Sequence, residues 1–225
     1  MQREIITTGD GSKTIYLPEW NEHYHSSHGA LQEAQHVFIK NGLSTQKEDY
    51  ITILEMGFGT GLNALLTYFA SEKRRQYVHY IGIEAFPPTE EEWRAMDYAQ
   101  FSNDPAAPHV FERMHTCDWN KAQEIDELFV LEKKQCSLVD ADVAPNSVDL
   151  IYYDAFGPRV QPELWTKEIF DLLFSWLAPE GILVTYCAKG QVKRDLKAAG
   201  FTVENLPGPP GKREMTRATK PNTCV

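Results

Sequence analysis

Alternation of short β-branched apolar runs with amphipathic segments predicts an α/β fold, a doubly wound and mostly parallel sheet with an antiparallel edge strand and an N-terminal hairpin and helix extension. Three stretches carry this expectation. ITILEMGFGTGLNALL, from Ile51 to Leu66, reads as a buried strand, a tight glycine turn and a helix. YVHYIGI, from Tyr77 to Ile83, reads as a strand beside it, and VDLIYY, from Val148 to Tyr153, as another, closed by Asp154. With 225 residues and 42% hydrophobic content, one domain is expected, residues 1–45 forming the extension and residues 46–225 the core.

In chain order, Glu4 to Leu17 alternates apolar and polar residues around Gly9-Asp10-Gly11, which predicts a hairpin. Ala30, Leu31, Ala34, Val37 and Phe38 mark a helix face, with Ser26 or Ser27 as cap and Asn41-Gly42 as stop. His23, His25, His28 and His36 cluster there without a Cys or Asp at ligand spacing, which favours a polar pocket wall over a metal site.

The first long strand ends in Glu55 and runs into Gly57, Gly59 and Gly61. Without Cβ atoms that turn can take positive φ and approach a ligand closely, while the next helix offers free N–H groups. A dinucleotide fingerprint, G-x-G-x-x-G, would need glycine where Leu62 stands. An acid at Glu55 repels a pyrophosphate and suits a cationic amine, so the pattern favours S-adenosylmethionine, which carries an amino-acid tail and no phosphate. Glu84, at the tip of the Tyr77 to Ile83 strand, is placed to accept from both hydroxyls of a ribose.

Pro88 to Glu92 opens a helix, with Thr89 and Glu92 at capping-box spacing. Residues 101–147 admit two readings. A strand from Val110 to Cys117 would put Asp118 near an adenine; a strand from Leu128 to Lys134 would put Ser137, Asp140 or Asp142 there, and is preferred for its short crossover to Val148. Asp154 should point into the crevice, because open α/β sheets keep their chemistry at the carboxyl ends of strands.

A helix should start at Gln161 to Trp165, with Leu164, Ile169, Leu172, Leu173, Trp176 and Leu177 as packing positions. Pro179-Glu180-Gly181 reads as a turn and Ile182 to Tyr186 as the fifth strand. A basic helix through Lys193, Arg194 and Lys197, a sixth strand from Phe201 to Leu206 and a last one from Lys212 to Ala218 complete the chain.

The N-terminus has no apolar core long enough for a signal peptide and no apolar run reaches 18 residues, so a soluble cytoplasmic protein is expected. Cys117, Cys136, Cys187 and Cys224 lie far apart with no C-x-x-C, which suits reduced thiols. The net charge of −10 is uneven: residues 185–225 carry +5 and the rest −15. A polyanion should therefore meet the C-terminal part.

EMGFGTGLN, YYDAFGP with PELWT beyond it, GPPGKREM, and YHSSHGALQEAQHVF near the start together resemble the methyltransferase domain of the MnmC-type tRNA-modifying enzymes. These enzymes complete 5-methylaminomethyl-2-thiouridine at the wobble position, and the resemblance covers nearly the whole chain. It implies a Rossmann-like S-adenosylmethionine-dependent methyltransferase acting on the aminomethyl group of a tRNA wobble uridine. Glu55, Gly57, Gly59 and Gly61 would hold the cofactor's methionine part and Glu84 its ribose; Phe58 and Asn63 of the same motif, with Ser137 and Asp140, complete the expected cofactor-binding set, the residue that reads the adenine staying open among Ser137, Asp140, Asp142 and Asp118. Asp154 would face the acceptor amine as the catalytic group. In many relatives a fused flavin-dependent oxidase makes that amine; 225 residues leave no room for it, so a separate enzyme is the expected supplier.

Lys212 and Arg213, with Lys189, Lys193, Arg194 and Arg217, are the expected RNA phosphate contacts, the alternative being an Arg213–Glu214 ion pair at the sheet edge. Tyr24, His25, Phe156 and Trp165 are candidates to stack on or wall a splayed base. The rival on the same fold is a small-molecule amine methyltransferase or an aminopropyltransferase, which would need no phosphate contacts.

Overall fold

A computed structural model describes residues 2–222, and the expected thiol Cys224 lies outside them. Cys117, Cys136 and Cys187 are free thiols. Three strands come first: β1 (Glu4–Thr7), β2 (Lys13–Leu17) and β3 (Glu22–His23) form a small antiparallel sheet. Helix α1 (Ala30–Ala34) follows and widens into a π-helical stretch, Gln35–Lys40, that stops at Asn41 as expected. Its cap differs from expectation: Gly29 is the N-cap, and Ser26 instead accepts from the His28 N–H.

The main sheet contains β4 (Tyr50–Met56), β5 (Tyr77–Ile83), β6 (Ala122–Asp126), β7 (Phe129–Lys134), β8 (Val148–Tyr153), β9 (Leu177–Thr185), β10 (Thr202–Pro207) and β11 (Glu214–Thr219), in spatial order β10-β11-β9-β8-β4-β5-β7-β6. The five central strands run parallel, joined by α2 (Leu62–Arg74), α3 (Glu90–Met96), α4 (Ala107–Thr116) and α5 (Lys167–Trp176), while α6 (Gly190–Ala198) leads to β10. One antiparallel edge was expected, and both edges are antiparallel: the β10–β11 hairpin closes one side and β6 the other.

Burial explains why β4 is mostly apolar. Along it, Ile51 and Ile53 enter a cluster with Tyr80, Tyr152, Ile15 and Phe38, whereas Leu54 and Met56 enter one on the opposite face with Ile81, Tyr153, Phe170 and Leu173. Successive side chains of a strand point to opposite faces, so a strand covered on both is apolar at most steps, and the buried Glu55 stands out. The register then sets Glu55 opposite Gly82 and Tyr152, and Met56 opposite Ile83 and Tyr153, so β4, β5 and β8 end level.

The preferred strand of the ambiguous middle is present as β7, and residues 107–116 are helical, not extended. Ala107, Val110, Phe111 and Met114 are the buried positions of α4, a helical period, with Pro108 in its first turn. The expected turn at Pro179-Glu180-Gly181 is a bulge inside β9: Val148 pairs with Leu177, Leu150 with Ile182, and Glu180 takes φ of 66°. Thr89 and Glu92 do close a capping box on α3. Among the described residues no helix is long and apolar enough to cross a membrane.

Candidate active site

The turn after β4 is shaped by two close approaches. Gly57 has φ of 89°, and a Cβ there would lie 3.0 Å from the Asp154 carbonyl oxygen. Gly59 has φ of 48° and fits under the Tyr24 ring, where a Cβ would lie 3.2 Å from Cδ1. Both conformations disfavour side chains, so glycine brings the turn against β8 on one side and the N-terminal sheet on the other. The Gly57 and Phe58 amides both donate to Ile83 O, which pins the turn to β5. The Gly59 amide donates to Glu84 Oε2 at 2.9 Å, and Phe86 N donates to Glu84 Oε1 at 2.8 Å.

Behind the turn lies a carboxamide flanked by two acids. Asn63, in the first turn of α2, donates through Nδ2 to Glu55 Oε1 at 2.8 Å and to Asp154 Oδ2 at 2.9 Å. One side chain thus joins the ends of β4 and β8. Burial pushes the Glu55 carboxyl well above its ordinary range, opposed by the Asn63 bond and reinforced by the Asp154 charge. Asp154 is also raised, by burial first and by Glu33 as well, with Asn63 and Lys212 pulling the other way. Asn63 Oδ1 is a buried acceptor with no donor, while the buried Tyr80 hydroxyl faces the Glu55 carboxyl.

A cavity of about 1030 Å³ opens over these strand ends, within the size range of small-molecule sites. Gly57, Gly59, Glu84, Ser137, Leu138, Asp154, Glu33, Phe156, Tyr186 and Lys212 are among the residues that line it. The N-terminal extension supplies Trp20, Tyr24 and His25. Trp20 and Tyr24 both meet Phe156 edge-on, at centroid distances of 5.6 and 5.2 Å. Arg3 fastens this aromatic wall to the loop after Glu84, donating to Phe86 O and Pro87 O and pairing with Glu92 at 2.9 Å. Burial lowers the His25 imidazole to about 4, and its Nδ1 lies 3.3 Å from Thr14 Oγ1.

Of the residues expected at the site, Gly57, Gly59, Glu84, Ser137, Asp154, Tyr24, His25, Phe156 and Lys212 line this cavity. Others lie elsewhere. Phe58 is 2% exposed and packs on His115 and Trp119, in the space that Gly82 leaves by lacking a Cβ, so it is a core residue. Gly61 directs its amide to Phe58 O and backs onto His115. Glu55, 1% exposed, communicates with the wall through Asn63. Asp140 is exposed and accepts from Ser137 Oγ at 2.6 Å, while Asp118 pairs with Lys121 away from the cavity.

The basic residues divide in a way the sequence did not show. Lys212, expected on RNA phosphate, sits inside the cavity, 2.9 Å from Glu33 Oε1 and 4.0 Å from the Tyr186 ring centroid. Arg213 is exposed and does not pair with Glu214, which pairs with Lys193 at 2.8 Å; Arg217 pairs with Glu204 at 2.9 Å. Trp165 is buried and donates from Nε1 to Phe156 O at 2.7 Å, so it supports the wall from behind. His36 bonds Pro207 O at 2.8 Å, and among the described residues no group of three His, Cys, Asp or Glu side chains could hold a metal ion. Glu33 and Tyr186 were missed. Glu33 falls among Ala30, Ala34 and Val37, so an acid inside an apolar helical stripe was the available signal.

Residues 104–221 match the model of a family described as S-adenosyl-L-methionine-dependent methyltransferase. The chain is 32% identical over 232 residues to the tRNA 5-methylaminomethyl-2-thiouridine biosynthesis bifunctional protein MnmC of Aromatoleum aromaticum, covering 95% of this chain and 34% of that protein. A Burkholderia mallei protein of the same name is 33% identical over 94% of this chain and 34% of its own length. The chain therefore spans about a third of the curated relatives it matches. Among solved structures it resembles MnmC2 from Aquifex aeolicus, with a TM-score of 0.74 and 25% identity over 96% of this chain and 70% of that one. Spermidine synthase from Thermotoga maritima shares the fold, at a TM-score of 0.61 and 14% identity over 98% of this chain and 69% of that one.

Proposed function

The chain belongs to the S-adenosyl-L-methionine-dependent methyltransferase family, and from that premise we propose that it methylates the primary amine of 5-aminomethyl-2-thiouridine at the wobble position of tRNA. The observation that carries the proposal is the Asn63 bridge between Glu55 and Asp154 at the level ends of β4 and β8, under a cavity walled by acids and aromatic rings. The MnmC relatives, whose name specifies the biosynthesis of 5-methylaminomethyl-2-thiouridine in tRNA, the product of that transfer, support this choice of acceptor.

The residues present suit the cofactor. Asn63 Oδ1 lacks a donor, a need that an α-ammonium meets, and the glycine turn keeps open a space that side chains would fill. On this reading Gly57, Gly59 and Asn63 face the methionine part, Glu84 the ribose and Ser137 the adenine side. When bound, S-adenosylmethionine supplies an electrophilic methyl group, which passes to the acceptor as its bond to sulfur breaks toward sulfur and a bond to nitrogen forms, one proton leaving the nitrogen.

Asp154 acts on the acceptor. A primary amine in water is an ammonium with no lone pair, so the site must bind or generate the neutral form. A carboxylate whose proton affinity burial has raised takes that proton more readily than an exposed one, and its second role is to hold the nitrogen in line. Alignment of this kind is worth on the order of 7–11 kcal/mol, so positioning outweighs base strength. Tyr24, Phe156 and Trp20 would hold the planar base whose substituent reaches Asp154. On this reading the reaction is cytoplasmic and follows the step that furnishes the aminomethyl group.

Incubation with methyl-labelled S-adenosylmethionine and tRNA carrying 5-aminomethyl-2-thiouridine, followed by nucleoside mass spectrometry, tests this. Label is expected in 5-methylaminomethyl-2-thiouridine. Unmodified wobble nucleoside alongside methylation of free small amines would move the assignment to a small-molecule enzyme.

A further inference from the structure

Glu33 is a charged group of the cavity that the methyl-transfer reading leaves unused. It lies on α1, 7% exposed, and lines the cavity shared with Asp154. Its Oε1 takes Lys212 Nζ at 2.9 Å, while its Oε2 is buried and has no partner. The Lys212 ammonium also lies 4.0 Å from the centroid of Tyr186, whose hydroxyl donates to Ala155 O at 2.9 Å, one residue beyond Asp154. Glu33 is therefore fastened by one oxygen to the end of β8, and the other oxygen lacks the donor that a buried carboxylate needs.

Building on the amine-methylating reading, we propose that Glu33 is a second acceptor-binding carboxylate and the residue that restricts the acceptor to primary amines. A neutral primary amine has two N–H donors and one lone pair. With one N–H on Asp154 and the other on Glu33 Oε2, both donors are satisfied and the lone pair has one direction left to it. A secondary amine has a single N–H. Seating it in the same orientation would leave Glu33 Oε2 without a donor and press a methyl group against a buried charge, so the site rejects its own product. Lys212 is a positioning residue in this arrangement: it occupies Glu33 Oε1 and leaves Oε2 to the acceptor.

Saturation-transfer NMR on the full chain loaded with S-adenosylhomocysteine tests the proposal, with 2,2,2-trifluoroethylamine as the primary-amine probe and N-methyl-2,2,2-trifluoroethylamine as the secondary, weak bases that are neutral at mildly alkaline pH and so carry two and one N–H donors. The wild type is expected to bind the primary probe at least about tenfold more tightly, and Glu33→Gln to lose that preference while keeping S-adenosylhomocysteine binding within about threefold. On tRNA carrying 5-aminomethyl-2-thiouridine, Glu33→Gln is expected to lose about 10- to 100-fold in kcat/KM and to form dimethylated nucleoside. Equal preference in wild type and variant overturns the proposal. A wild type that discriminates between the probes yet leaves that tRNA unmodified overturns the functional reading instead. Should Glu33→Gln lose S-adenosylhomocysteine binding, Lys212→Met carries the test, and a Lys212→Met protein with undiminished preference overturns the proposal.

Discussion

Asp154 and Asn63 were both visible in the sequence, Asp154 because it directly follows the strand VDLIYY and Asn63 because it opens the helix after the glycine turn. Glu33 was not, because its partner Lys212 is 179 residues away and no local pattern reports such a pairing. Asp154→Asn keeps the shape and the Asn63 contact but removes the base, so it should lower kcat by about 10²- to 10⁴-fold with S-adenosylhomocysteine affinity retained. Near-wild-type turnover would remove Asp154 from the chemistry.

His115 gives a prediction of a different kind. Burial first, and the Lys133 charge second, lower its imidazole from 6.5 to about 3, and its Nε2 lies 3.1 Å from Thr60 O behind the glycine turn. The unfolded chain takes up a proton near pH 6.5 while the folded protein resists it. This contribution to stability is therefore complete above about pH 6.5 and is lost as pH falls from there toward 3. Denaturant titrations should show wild-type stability falling more steeply than that of His115→Gln between those limits. Parallel profiles would contradict the assignment.

At the scale of elements, legibility followed burial. The strands β4, β5, β7 and β8 lie in the middle of the sheet and all four were readable, β4, β5 and β8 being mostly buried apolar runs while β7 alternates buried and half-buried residues. The edge strand β6, AQEID, exposes Ala122 and Glu124 and buries only Ile125, so its pattern carries little signal. The helix α4 was passed over because Val110 to Cys117 was weighed as a strand, although its buried residues repeat with a helical period.

The β9 bulge is held by a contact no periodicity encodes. Lys220, 7% exposed, donates to Asn146 Oδ1, Phe174 O and Leu177 O, and its own amide and carbonyl bond Gly181 and Glu180. Lys220→Met should leave those buried acceptors unpaired and cost about 1–3 kcal/mol in equilibrium unfolding. A loss under half a kcal/mol would show that water replaces the ammonium without penalty.

For the whole molecule, the sequence placed positive charge in the C-terminal part, and the fold spends half of it. Lys212 is inside the cavity, Lys193 and Arg217 are paired with Glu214 and Glu204, and Lys220 is buried. Lys189, Arg194, Lys197 and Arg213 remain exposed. With four such cations, the slope of log affinity for tRNA against log salt should be about −3. A slope near −7 would mean that the paired residues also meet phosphate, and a slope near zero that the cationic face does not.

The account rests on the crevice over the ends of β4, β5 and β8 as the seat of the methyl donor. A crystal structure of the protein with S-adenosylhomocysteine tests that most directly. The ligand is expected with its methionine part against Gly57 and Gly59, its ribose on Glu84 and its sulfur facing Asp154. A ligand seated outside the crevice, or lying in it with its sulfur turned away from Asp154, would contradict the account.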